Sequence, residues 1–197
     1  MEILKLNPKK REKEKLKILV NLLKKGKVIV FPTDTIYGFL ADATDKKAVN
    51  KIFRIKKRSF KKPLPLFVRD IKYLKKLAIL NKEQERLLKL IGSRVTVVLN
   101  RRKTKMKLYG LKKETIAIRI PKYPPLNFLL KEIDVPLVQS SVNISGKPPL
   151  NNIEEIIREF KNKPDKPDLI VKVPHLPRRK PSLILDLTDS PPTIIRI

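Results

Sequence analysis

The sequence predicts an α/β protein: a single domain over 1–197 with a twisted mixed sheet flanked by helices. Three observations carry that expectation. Short apolar runs interleave with amphipathic stretches along the whole chain, the pattern of strands and helices packed in layers. Prolines and glycines stop most of these runs. Neither an internal repeat nor a clear linker divides the 197 residues, and 41% of them are apolar, enough for a substantial core.

Taken in order, Leu16, Leu19, Val20 and Leu23 stand at helical spacing among lysines and predict a helix over 10–25, ended by Gly26. Lys27–Phe31 reads as a buried strand stopped by Pro32. Thr44 or Asp45 can cap a helix through Lys57, with Ala48, Ile52 and Phe53 inward. Leu64–Val68 is a second strand, and Asp70 caps a short helix to Ala78. Asn81 with Gln84 forms a capping-box pattern for a helix that closes at Gly92. Arg94–Leu99 is a third strand, followed by a basic, exposed loop over 100–113. Thr115–Ile120 alternates as a strand, Pro125 opens a helix over 125–132, and Pro136–Gln139 is a short strand. Asn152 with Glu155 repeats the capping pattern for a helix to Phe160. Prolines then separate the strands Leu169–Val173, Leu183–Leu187 and Thr193–Ile197.

The chain has no cysteine, which excludes disulfides and thiolate-bound zinc. No apolar run approaches the roughly 20 residues of a membrane span, and Met1–Lys17 lacks the apolar core of a secretory signal. A soluble cytoplasmic protein with no membrane partner is expected. Charge is the unusual property: 47 basic residues against 19 acidic give +28. Such a field attracts polyanions. Because lysines are spread over nearly every element, general lysine enrichment and a selected polyanion surface both stay open.

Phosphate-binding glycine loops of the P-loop and dinucleotide types are absent. If phosphate is bound, side chains must bind it. Lys56, Arg58 and Lys62 cluster where the helix after the first strand gives way to the next strand; a guanidinium fork and ammonium point charges suit phosphate oxygens. A solvated basic helix end favoured by the macrodipole is the alternative. Pro32-Thr33-Asp34-Thr35 puts two hydroxyls and a carboxylate at a strand end, where open α/β sheets commonly bind ligands. Ser140, Ser141, Asn143 and Ser145 form a second hydroxyl and amide cluster; ordinary turn chemistry explains either group equally well. Arg119 lies in the apolar strand Ile116–Ile120 on the same side as Ala117, and a charge there needs a partner. A ligand is favoured over a structural ion pair. His175, the only histidine, lies in a proline-rich loop, and neither a histidine base nor a metal site is expected.

Four segments in order resemble the YrdC family of threonylcarbamoyl-AMP synthases. They are Val30–Gly38 (VFPTDTIYG), Lys56-x-Arg58 with Lys62-Pro63-Leu64, Ala117–Pro121 (AIRIP), and Ser141–Gly146 (SVNISG). Pro181–Asp186 and Arg196 are similar to the family's last two motifs. The resemblance implies a nucleotidyltransferase that makes threonylcarbamoyl-AMP and pyrophosphate from ATP, bicarbonate and L-threonine, towards the t6A base of tRNA. It implies that Lys56, Arg58, Ser141 and Asn143 carry the catalysis. ATP would be held by these four with Lys62, Thr115 and Arg196. L-threonine would lie among Thr33, Thr35, Arg119 and Ser182. Mg2+ would come with the ATP, without a dedicated protein site, and partners would include tRNA or double-stranded RNA and the threonylcarbamoyl-transferase machinery. The family's tryptophan-Pro-Gly-Pro-x-Thr segment appears here as Ile91–Thr96, its Ser-Thr pair as Ser182-Leu183, and its Gly-rich turn as Pro174–Lys180. Ending at Ile197, the chain resembles the short form without an extra C-terminal domain.

Two other functions fit parts of the sequence. A non-catalytic RNA-binding protein of this fold would use Arg101-Arg102-Lys103, Lys105, Lys107 and Arg178-Arg179-Lys180. With aromatic residues only 6% of the chain, its binding would be phosphate-driven and steeply salt-dependent. A carbamoyl-adenylate-forming relative, as in hydrogenase maturation, would share the domain within a longer, cysteine-bearing chain.

Overall fold

The structure is a computed structural model that describes residues 1–10, 12–174, 176 and 179–196. Among these, ten strands form one mixed sheet and six helices connect them. In chain order the elements are β1 (Glu2–Lys5), α1 (Lys13–Lys24), β2 (Ile29–Phe31), β3 (Gly38–Asp42), α2 (Lys46–Lys56), β4 (Leu66–Phe67), α3 (Ile71–Leu77) and α4 (Lys82–Leu90). There follow β5 (Val95–Asn100), β6 (Thr115–Arg119), α5 (Pro124–Ile133), β7 (Leu137–Ser141), α6 (Ile153–Phe160), β8 (Leu169–Lys172), β9 (Leu183–Asp186) and β10 (Thr193–Arg196). Across the sheet they run β1-β8-β2-β3-β7-β4-β6-β5-β9-β10. The pairs β1–β8, β8–β2, β4–β6 and β5–β9 are parallel, the others antiparallel.

Local chemistry explains the helix ends. Helix α1 closes in a Schellman arrangement, with Lys27 N–H donating to Leu22 C=O and Gly26 N–H to Leu23 C=O, both at 3.0 Å. Gly26 takes φ +70°, which glycine adopts without a Cβ penalty. The Asp45 carboxylate caps α2 by accepting from Ala48 N–H. Asn81 and Gln84 form the expected capping box on α4. Asn152 accepts from the N–H groups of Glu154 and Glu155, the N-cap half of the second pattern.

Two strands escape the sequence. β1 is a short, charged and largely exposed edge strand, with too few apolar positions to signal itself. β3 (GFLAD) folds straight back on β2, where the sequence suggested a turn leading to a helix. Gly38–Ala41 are buried throughout, so period-2 alternation is lost, and glycine, alanine and aspartate are poor strand formers. The loop over 100–113 is less free than expected, because Met106, Leu108, Tyr109 and Leu111 pack against the core.

Position in the sheet decides which residues meet. Ile116 and Ile118 of β6, with Val97 and Leu99 of β5, point into the core. Thr115 and Ala117 alternate with them, as do Val98 on β5 and Gln139 and Ser141 on β7, and these stay half-buried on the opposite face. One face of the sheet centre is thus left open.

At Gly26 a Cβ would collide with Asp45 Oδ2, in addition to the positive φ, whereas at Gly92 nothing lies within 4 Å. Gly26→Ala is expected to lower stability by about 1–2 kcal/mol or more, and Gly92→Ala by no more than about 0.5 kcal/mol, read as urea unfolding midpoints.

Candidate functional site

A cavity of about 530 Å3 occupies that open face, within the usual size of small-molecule sites. Its floor is strands β5, β6, β7 and β9; its walls are the β2–β3 turn and the 58–65 loop. The sequence-predicted residues Arg58, Lys62, Thr115, Ser141 and Arg196 border it, as do Thr35, Arg119 and Ser182. Segments remote in the chain therefore converge on one hollow.

Lys56, Asn143 and Thr33 do not border it; they stand behind its wall. Helix α2 ends at Lys57 in a left-handed conformation, φ 50°, which turns the chain between its neighbours. Lys56 is only 1% exposed. Its Nζ donates to the backbone oxygens of Ser141 and Asn143 and, at 2.7 Å, to Asn143 Oδ1. Ser141 Oγ donates to the same Oδ1 at 2.7 Å. The lysine expected at the phosphates thus fixes the Ser141–Asn143 turn, and Ser141 meets the cavity. Burial, then the charge of Arg58, pulls the Lys56 ammonium down to about 7. Its three acceptors work the other way, matching the three N–H bonds of the charged form.

On the far side of the turn, Arg58 reaches outward. Its Nε donates to Lys62 C=O and its Nη2 to Pro63 C=O, at 3.0 and 2.9 Å, and this clamps the 58–63 loop around the guanidinium. Burial lowers its pKa but leaves it charged. Lys61, Lys62 and Lys112 join it on the cavity lining, while Asp186 is the acidic residue of that lining among the described residues.

Arg119 occupies the opposite end and is 2% exposed. Favoured for a ligand by the sequence, it has a protein partner: Nη2 donates to Asp34 Oδ1 in a buried ion pair. Nη1 donates to Thr35 Oγ1 at 3.0 Å and Nε to Ser93 C=O at 2.8 Å. Desolvation lowers its pKa and Asp34 opposes that; Arg196 and Arg94 add repulsion. Thr33 holds the turn itself, bonding Thr35 Oγ1 and donating to Ile36 C=O. Ser182 Oγ bonds Thr96 Oγ1 at 2.9 Å, and Arg196 Nη2 donates to Ser182 C=O at 2.7 Å. Arg179, expected at an RNA surface, instead donates to Asp34 C=O at 2.8 Å. Arg178 and His175 lie outside the described residues.

Sequence reasoning missed Thr96, Gln139 and Asp186 on the lining, and Asp34 as the partner of Arg119. For Thr96 a signal existed, since strand alternation puts it on the face of Val98. Asp34 was visible as a turn carboxylate, but its pairing with a residue 85 positions away was not.

An open-faced α/β sheet carrying a cation-lined cavity with a buried arginine at one end defines a class of small-molecule site. Comparison with known proteins narrows it: the chain belongs to the Sua5/YciO/YrdC family, whose model, described as telomere recombination, matches residues 21–197. A Methanocaldococcus jannaschii protein, provisionally named threonylcarbamoyl-AMP synthase, is 33% identical over 191 residues, covering 96% of this chain and 87% of its own length. The crystal structure of Pyrococcus abyssi Sua5 complexed with L-threonine matches with a TM-score of 0.88 at 28% identity. All of this chain is covered there, but only 57% of the Pyrococcus protein. Escherichia coli YciO matches with a TM-score of 0.87 at 28% identity, over 100% of this chain and 95% of that one.

The ion pair and the buried ammonium each lead to a measurement. Asp34→Ala leaves the Arg119 charge unpaired and is expected to destabilise by about 3–5 kcal/mol; the Asp34→Leu, Arg119→Met double variant should recover part of that. Because Lys56 is held below the ordinary lysine value of about 10.4, the unfolded chain keeps a proton that the folded one releases between pH 7 and 10. Stability should therefore rise with pH across that window, by at most about 1.4 kcal/mol per pH unit, the full burial penalty applying below pH 7. In Lys56→Met that rise should vanish, as urea midpoints at pH 7 and 9 would show.

Proposed function

We propose that the chain is an L-threonylcarbamoyladenylate synthase that joins ATP, bicarbonate and L-threonine into threonylcarbamoyl-AMP and pyrophosphate, supplying a cytoplasmic tRNA-modifying threonylcarbamoyl transferase. One observation carries this reading: a single cavity has Arg58, Lys62 and Ser141 on one side and Arg119, Thr35 and Ser182 on the other. That a fold relative from Pyrococcus abyssi was crystallised with L-threonine supports an amino acid as one occupant.

The chemistry asks for no protein nucleophile. The threonine amine and bicarbonate condense to a carbamate with loss of water. A carbamate oxygen attacks the α-phosphorus, the bond to the bridging oxygen breaks, and pyrophosphate leaves. What remains for the protein is positioning and charge neutralisation. Arg58 and Lys62 face the phosphates; Thr115 and Ser141 complete the nucleotide side, while Arg196, expected with ATP, bonds Ser182 at the other end; Lys56 and Asn143 hold Ser141 in place. Thr35, Ser182 and the Arg119 guanidinium orient threonine, with Thr33 and Asp34 bracing them. Among the described residues no group of three or more carboxylates or imidazoles gathers to hold a metal. Mg2+ would enter on the ATP phosphates, neutralising their charge.

Incubation with ATP, bicarbonate and L-threonine should release pyrophosphate only when threonine is present; release indifferent to threonine would refute the reading. A charged hydrogen bond is worth about 1.5–3 kcal/mol, so Arg58→Ala should lower kcat/KM by roughly ten- to a hundredfold or more. Ser182→Ala should raise the threonine KM and leave the ATP KM nearly unchanged.

A further inference from the structure

Asp186 is out of place in this cavity, a carboxylate in a lining otherwise supplied with cations. Its Oδ1 accepts from Thr188 N–H at 2.9 Å and from Thr188 Oγ1 at 2.6 Å. Among the described residues, no hydrogen bond or salt bridge reaches its Oδ2. Charge neutralisation within the protein does not account for it.

Its neighbours narrow the choice of ligand. Strand register sets Asp186 abreast of Val98, and Val98 abreast of Ala117. Both are half-buried on the cavity face, a small apolar shelf that fits the flat face of a heteroaromatic ring. The Arg58 clamp is anchored at Pro63, just ahead of β4, and β9 lies three strands away in the order β4-β6-β5-β9. At about 4.8 Å per strand that is roughly 14 Å, too far for the carboxylate to share the phosphates' counterion. It is a suitable reach for the base of a nucleotide whose phosphates lie at Arg58. A carboxylate oxygen beside a ring edge accepts from an amine and repels a carbonyl.

We propose that Asp186 is the residue that selects the base, its Oδ2 accepting from the exocyclic 6-amino group of adenine on the Val98–Ala117 shelf. This rests on the nucleotide reading of the cavity given above. A 6-oxo purine would set its carbonyl oxygen against the carboxylate and be rejected, since a site built to receive a donor discriminates against an analogue without one.

Asp186→Asn tests the assignment, because Oδ1 stays available to Thr188 while an N–H donor replaces Oδ2. Equilibrium dialysis with ATP and with ITP, which carries the 6-oxo base, measures the preference without needing turnover. The wild-type protein should bind ATP at least about tenfold tighter than ITP, and Asp186→Asn should bring that ratio close to one or reverse it. Should the Asn variant not fold, Asp186→Ser should equally abolish the preference. An unchanged ATP-to-ITP ratio in a folded variant overturns the proposal, as does a raised threonine KM with that ratio intact. If wild-type protein releases no threonine-dependent pyrophosphate with either nucleotide, the synthase reading fails and the dialysis ratio still decides Asp186. Failure of both nucleotides to bind at millimolar concentration overturns both.

Discussion

A guanidinium buried to 2% is the constraint around which this molecule is arranged. Taking Arg119 out of water is tolerable only because its donors find acceptors, and these come from separate parts of the chain. Asp34 and Thr35 belong to the β2–β3 turn, and Ser93 to the approach to β5. One side chain thus ties three segments together at the edge of the cavity. Asp34 is held in turn by Lys122 N–H and, through its carbonyl, by Arg179. The cluster fixes the orientation of the guanidinium at this end of the cavity before anything binds.

The other end is built on the same logic with different chemistry. Lys56 spends its hydrogens on carbonyl and amide oxygens of the 141–143 turn, so a buried ammonium braces backbone and leaves Ser141 to face the cavity. Arg58, two residues on, is held by carbonyls of its own loop and projects outward. The left-handed Lys57 between them lets neighbouring motif residues do opposite work: one braces backbone, one faces the cavity.

Much of this was legible in the sequence, for identifiable reasons. The helices α1, α2, α3 and α4 carry caps whose side-chain or glycine chemistry is local, and their ends lie within two residues of where the spacing puts them, except that α1, which has no side-chain N-cap, starts three residues later. The convergence of Arg58, Lys62, Ser141, Arg119 and Ser182 on one cavity was expected from the family resemblance, not from spacing in the chain. What stayed hidden depends on partners distant in the chain. The strand β3 is buried on both faces, which erases the alternation that marks a half-buried strand. Thr33 and Asp34 looked alike as turn residues; only the fold shows that one braces the turn and the other neutralises Arg119. Lys56 and Arg58 looked equivalent as cations, and burial separates them.

The central claim is that one cavity receives a nucleotide and an amino acid side by side. A crystal structure of the chain with L-threonine and a non-hydrolysable ATP analogue tests it most directly. Both ligands should occupy that hollow, with phosphate oxygens within hydrogen-bond reach of Arg58 and Lys62 and the amino acid lodged between Thr35, Arg119 and Ser182. A nucleotide seated elsewhere on the molecule, or a threonine that leaves the Arg119 end empty, would contradict the account.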